Sequence, residues 1–241
     1  MTSMPSSVLR MAVLAGLLVL SACASTTGSG ASSPGAKKAT GTNPSAKGLS
    51  AGAEIAEARA RLKSDPNDLE ALFRLGVAWQ DTASTPNITA SQAFRDSAMA
   101  AFDAVLEKDA DHVKALVHRG LLLEDLNRHD EALAQYQRAT VLAPGDPLPF
   151  IDLGSLLYFH FHKTYEAKEA LVHALEIDNE NPDAHFNLGV LFADANLYNE
   201  ARAEWERVLE IDPSGPAGKL AQENLARILP VLEPDAGAGA E

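Results

Sequence analysis

The chain has 241 residues, room for one or two ordinary domains, and a formal charge of −13 from 33 acidic against 20 basic side chains. That balance argues against a nucleic-acid binder, which needs a basic face to meet phosphates. Its one cysteine, Cys23, excludes an internal disulfide and a cysteine-based zinc site.

Residues 1–50 hold Arg10, Lys37, Lys38 and Lys47 and no acid, so everything after Ser50 carries a net −17. Such a body stays soluble and suits a basic partner surface. Met1 to Arg10 is short and ends in a positive charge, and 11–20 (MAVLAGLLVL) is apolar without a break. That is the order of a signal peptide. Ten apolar residues are too few for a spanning helix, which needs about 20.

The apolar run leads into Leu20-Ser21-Ala22-Cys23. This resembles the lipobox of bacterial lipoproteins: an aliphatic residue, two small residues that let the chain lie extended in a peptidase cleft, and a thiol nucleophile. The resemblance implies that residues 1–22 are removed and that Cys23 carries acyl chains on its thiol and amine. Each buried methylene adds about 0.8 kcal/mol, so several chains hold where one does not. In lipoproteins of this kind an aspartate after the cysteine retains the protein in the inner membrane of many Gram-negative cells. Ala24 stands there instead, which implies an outer-membrane anchor facing the periplasm; a cell with a single membrane is the other setting. Residues 24–50 are Ala, Ser, Thr, Gly, Pro, Asn and Lys, with Leu49 the only large apolar side chain. Such a stretch cannot bury enough surface to offset its ordering entropy. Residues 23–50 therefore read as a lipidated flexible tether, spanning about 30 Å at 5–6 Å times the square root of length.

From residue 51 the pattern is helical. Glu54 to Pro66 reads as a lone helix. Four glycines follow inside segments of helical apolar spacing, Gly76, Gly120, Gly154 and Gly189, the last three 34 and 35 residues apart. A helical glycine costs about 1 kcal/mol relative to alanine, and close approach of a neighbouring helix is the reason such a cost would recur. Beyond each glycine comes an alanine with a bulky residue four positions on: Ala98 and Phe102, Ala132 and Tyr136, Ala167 and Leu171, Ala201 and Trp205. Residues four apart share a helical face, so a second helix presents a small contact and a large plug. Pro144, Asn181-Pro182 and Pro213 then close units. The first unit carries about ten extra residues near 81–91, expected as a loop with Pro86 as breaker and Thr89 or Ser91 as N-cap. The third has one extra residue between its helices. Ala217 to Leu229 reads as an amphipathic end helix with Leu220, Leu225 and Ile228 inward.

This pattern is similar to the tetratricopeptide repeat, a helix-turn-helix unit of about 34 residues. The resemblance implies an all-α, right-handed superhelical array over residues 51–232: about four repeats with capping helices at both ends, then a disordered tail at 233–241. It also implies a concave groove lined by the first helices. Carried onto this chain, the inward positions are Phe73, Val77, Val117, Leu121, Ile151, Ser155, Phe186 and Val190, flanked by Glu70, Arg74, His118, Glu124, Tyr158, Asn187 and Asp194. An apolar stripe of that kind takes an amphipathic helix or apolar peptide; an edge or the convex face is the alternative. The Lys/Asn clamp with which chaperone-binding members hold a terminal carboxylate is absent.

Tyr158-Phe159-His160-Phe161-His162 is the most unusual short stretch. Residues two apart on a helix diverge, so His160 and His162 could share a metal only beyond a helix end. The stretch reads as an exposed aromatic patch, and no metal site is expected. No nucleophile motif, phosphate-binding glycine loop or paired-histidine zinc motif is present. The expectation is a non-enzymatic protein with no cofactor and no small-molecule substrate. The whole plan resembles outer-membrane tetratricopeptide lipoproteins that act as pilotins for the type IV pilus secretin. Two alternatives stand beside it: an adaptor that presents cell-wall hydrolases to a periplasmic protease, and an accessory that organises peptidoglycan enzymes.

Overall fold

A computed structural model describes residues 51–83 and 88–232. The expected signal peptide, tether and tail lie outside the described residues. Within them the regular structure is all helical: α1 (Ala51–Ser64), α2 (Leu69–Ala83), α3 (Ile88–Lys108), α4 (Val113–Asp125), α5 (His129–Leu142), α6 (Pro147–Phe159), α7 (Thr164–Ile177), α8 (Pro182–Asp194), α9 (Tyr198–Ile211) and α10 (Pro216–Leu232). No helix among the described residues is long and apolar enough to cross a membrane.

The four leading helices, α2, α4, α6 and α8, start on a side-chain cap at one repeat position. Asp68 Oδ1 accepts from the Ala71 amide, His112 Nδ1 from Ala115, Asp146 Oδ1 from Leu148, and Asn181 Oδ1 from Asp183 and Ala184. Each cap satisfies amide donors that a helix start leaves open. Pro147 and Pro182 add a preset φ at the first helical position.

The trailing helices α5, α7 and α9 have no side-chain cap and are set by the turn before them. Asn127, His162 and Asn196 take the left-handed conformation there, with φ of 57°, 54° and 60°. Asn and His are among the side chains that tolerate it best. The turns close by Arg128 N–H to Leu123 O and Leu197 N–H to Phe192 O. In the third unit the extra residue is taken up by a wider turn, Lys163 N–H to Leu157 O.

Each helix packs on its sequence neighbours, and leading helices also touch one another, α2 on α4 and α6 on α8. The result is the stacked, superhelical array of helix pairs that the repeat pattern predicts. Its core is a chain of clusters, each borrowing from the next unit. Val77, Ala98 and Phe102 take in Leu122; Leu121, Ala132 and Tyr136 take in Leu156; Ile151, Ala167 and Leu171 take in Ala184 and Leu191. The last cluster, around Phe186 and Trp205, is closed by Ala217, Ala221, Leu225 and Ile228 of α10, while Leu220 stays half-buried. α10 thus covers the open end, as a solenoid cap must.

The recurring glycines meet the recurring plugs. A Cβ on Gly76 would fall within 3 Å of the Phe102 ring, on Gly154 2.9 Å from Leu171 Cγ, and on Gly189 2.5 Å from Trp205 Nε1; Gly120 stands in the same relation to Tyr136. Leading and trailing helices approach closely because the glycine leaves room for the plug.

The first unit departs from expectation. Most of the inserted stretch is helical: α2 runs to Ala83 and α3 starts at Ile88, so Thr89 and Ser91 lie inside a helix rather than capping one. Residues 84–87, with Pro86, lie outside the described residues. Tertiary packing supports the extension. The Phe94 ring stacks on Trp79 at 5.3 Å and 20°, and the Arg59 guanidinium of α1 lies 5.1 Å from the Trp79 ring centroid.

Candidate functional site

The leading helices carry the residues expected to line a groove, and their apolar spacing decides where those side chains go. Val77, Leu121, Ile151, Ser155, Phe186 and Val190 are buried, and Phe73 and Val117 are half-buried. They do not form a presented apolar stripe. They pack on the trailing helix of their own unit and on the next unit: Val77 with Ala98, Phe102 and Leu122, Leu121 with Tyr136 and Leu156, Ile151 with Leu171 and Ala184, and Phe186 and Val190 with Trp205 and α10. Of the flanking residues, Glu70, Arg74 and Asp194 are exposed, Tyr158 and His118 are half-buried, and Glu124 and Asn187 are buried. The exposed members of this set are all charged. Arg74 pairs with Glu70 at 2.7 Å, and the Tyr158 hydroxyl donates to Asp194 Oδ2 at 2.5 Å.

Buried and half-buried polar contacts tie the helices together, and an apolar pattern gives no sign of them. His118 Nδ1 lies 2.9 Å from Gln80 Oε1, joining α4 to α2. Asn187 Nδ2 donates to Ser155 Oγ at 3.1 Å, joining α8 to α6. Within the second unit, the Tyr136 hydroxyl donates to Glu124 Oε1 at 2.5 Å, both side chains buried. The signal was available only as polar residues recurring at seam positions of otherwise apolar helices.

Burial also shifts titrations. His118 is pushed down to about 4 by burial, aided by Lys114. Asp81 is pushed up to about 6 by burial and by Glu54, and Asp183 to about 6 by burial and by Asp212. The Tyr158 phenol is held well above its ordinary value by burial and then by Asp194. At neutral pH, His118 is therefore neutral inside an aromatic cluster, with its ring 5.3 Å from Phe73 and 5.7 Å from Phe102.

The expected exposed patch is dispersed. Tyr158 and Phe159 pack on the last core cluster, Phe161 packs on the cluster around Tyr136, and the His160 ring stacks on His129 at 3.7 Å. Only His162 is exposed, in the left-handed turn position. α6 ends at Phe159, so the residues that follow leave helical geometry and spread between neighbouring units. Among the described residues, no three His, Cys, Asp or Glu side chains converge as metal ligands. Cys23 and the motif Leu20, Ser21 and Ala22 lie outside the described residues.

Family models described as tetratricopeptide repeat match residues 91–147 and 162–225. Over 110 residues the chain is 33% identical to protein O-mannosyl-transferase TMTC3 of Homo sapiens, covering 45% of this chain and 12% of that protein. Over 102 residues it is 31% identical to the protein CTR9 homolog of Arabidopsis thaliana, covering 42% and 9%. The chain thus spans 12% or less of the length of these curated relatives. Among solved structures, a thermophilic tetratricopeptide protein of Thermus thermophilus superposes with a TM-score of 0.61 at 18% identity, over 74% of this chain and 91% of that one. MamA (41-end) from Desulfovibrio magneticus RS-1 gives 0.53 at 18% identity, over 89% and 99%. At such identity the likeness is one of fold. Family matches and stacked helix pairs agree: residues 91–147 and 162–225 of this chain are tetratricopeptide repeats, a unit that serves as a protein-interaction scaffold.

Proposed function

We propose that the chain is a lipid-anchored scaffold of a bacterial envelope, holding a protein partner at the outer membrane during assembly of a machine such as the type IV pilus secretin. The observation that carries the scaffold reading is the unbroken stack of helix pairs from α2 to α10, a form that offers extended surface rather than a closed pocket. What supports the anchor is Leu20-Ser21-Ala22-Cys23 at the end of an apolar run, followed by a stretch of small and polar residues. A body of net −17 supports a partner with basic character.

Labelled palmitate tests the anchor: it enters the native chain and not a Cys23→Ser variant, and equal labelling of both removes the anchor from the reading. Deleting the gene tests the partner. Lost secretin multimers and lost twitching support the assembly role; intact multimers, with a periplasmic protease and cell-wall hydrolases captured on the full chain, replace it with the adaptor role.

A further inference from the structure

The four units can be compared position by position at the corner where a trailing helix hands over to the next leading helix. Nine residues beyond the repeat alanine stand Glu107, Glu176 and Glu210 in three units, and Val141 in the second. Two further on stand Asp109, Asp178 and Asp212, and Ala143 in the second. Six residues before the repeat glycine stand Glu70, Lys114 and Asp183, and Leu148 at the start of the third unit. All three departures meet at the turn between α5 and α6. Val141 is 79% exposed, Leu148 46% and their neighbour Leu142 37%.

Folding does not explain them. The aspartates at this position brace their turns: Asp109 Oδ1 accepts from the Asp111 amide, Asp178 Oδ1 from Glu180, and Asp212 Oδ1 from Gly215. Ala143 cannot, yet its turn closes in the same way, with Asp146 N–H to Ala143 O at 3.1 Å, and Pro144-Gly145 supply the turn chemistry. A solvent-facing valine is a poorer helix former than the glutamate of its sister units, and at its exposure it buries little apolar surface.

The corner is framed by acid. The preceding turn carries Glu107, Asp109 and Asp111, and the following one Glu176, Asp178 and Glu180. Lys108, Arg138 and Arg207 offset part of that charge, with Arg138 held on Asp111 at 2.8 Å, and acids stay in excess. Adjacent helices pack about 10 Å apart, so a short segment lying along this edge meets carboxylates on both sides of an aliphatic centre.

We propose that the α5–α6 corner is the docking site for a partner-protein segment with an apolar centre flanked by lysine or arginine. This rests on the reading of the chain as a protein-interaction scaffold and adds where and with what chemistry it binds. The test uses the full chain and fluorescently labelled synthetic peptides with leucines at the centre, flanked by lysines, by glutamates, or with serines replacing the leucines. The variant is Val141→Glu with Leu148→Asp, which installs residues that sister units carry; circular dichroism and thermal melting check that it stays folded. The lysine-flanked leucine peptide is expected to bind, and to bind about tenfold more weakly to the variant. The substitutions add negative charge, so a complex held by charge alone would tighten; weakening reports lost apolar contact. Binding should also weaken as salt rises from about 50 to about 500 mM.

Equal binding by variant and native chain overturns the proposal, as does no binding, or equal binding of the glutamate-flanked peptide. Sedimentation that shows a native dimer broken by the variant, without peptide binding, also overturns it by making a second copy the occupant. A partner captured equally by native chain and variant leaves the scaffold reading standing and removes this corner from it.

Discussion

A methyl group on Gly189 would stand 2.5 Å from Trp205 Nε1 and 2.7 Å from Cδ1. Trp205 is buried and its Nε1–H donates to the Phe186 carbonyl at 3.2 Å, so it cannot turn aside without losing that bond. Gly189→Ala should gain about 1 kcal/mol of helix propensity and still destabilise the fold by about 2 kcal/mol in urea denaturation. Gly154→Ala should cost less. Its nearest neighbour is Leu171 Cγ at 2.9 Å, on a flexible side chain, although the Ala167 carbonyl at 3.1 Å limits relief. The reverse order would mean that the plugs do not set the helix separation. Tyr136→Phe removes a donor from buried Glu124 and should cost about 1–3 kcal/mol by the same measurement.

Among the helices, what was legible in the sequence was what repeats. Glycine, alanine and plug recur with the unit, and their recurrence predicts paired helices; the closing helix after Pro213 reads from its own apolar spacing. The first unit resisted because Thr, Ser, Pro and Asn between 82 and 91 read locally as loop. Trp79, Phe94 and Arg59 come from three helices, and only their assembly shows why helix continues on both sides. Tertiary contact overrides propensity there. The end helix allows a direct test. α10 covers Phe186 and Trp205 with Ala221, Leu225 and Ile228, so a chain stopped after Asp212 leaves that cluster open to water. Amide exchange should then accelerate in α8 and α9 and stay near native rates in α4 and α5, since each unit leans mainly on its neighbours. Uniform acceleration would mean that the array melts as one body; no change would mean that α10 is dispensable.

Over the whole array, the site was less legible than the fold, because an apolar position on a leading helix reads the same whether it faces a partner or the next unit. Ile151, Phe186 and Val190 went into the core between units and against the trailing helices, and the polar pins between leading helices show only as polar residues recurring at fixed repeat positions. Buried titratable groups make stability depend on pH in two opposed ways. His118 titrates near 4 when folded, against an ordinary 6.5, because burial and then Lys114 disfavour its charged form. Between those values the unfolded chain binds the extra proton, so this group's contribution is present above about 6.5 and lost as pH falls toward 4. Asp81 and Asp183 titrate near 6 against an ordinary 3.8, raised by burial first and then by Glu54 and Asp212. There the folded chain binds the extra protons, so their contribution is present below about 3.8 and lost as pH rises through 6. The two windows overlap, and a single melting curve against pH would hide both. Comparison of variants separates them. His118→Phe keeps an aromatic ring beside Phe73 and Phe102, so its stability relative to the native chain should improve as pH falls from about 7.5 to about 4.5. Asp183→Asn should gain on the native chain as pH rises over the same span. Parallel melting curves for native chain and His118→Phe would mean that the ring is wet enough to take its proton in place, and that the α2–α4 seam opens to water.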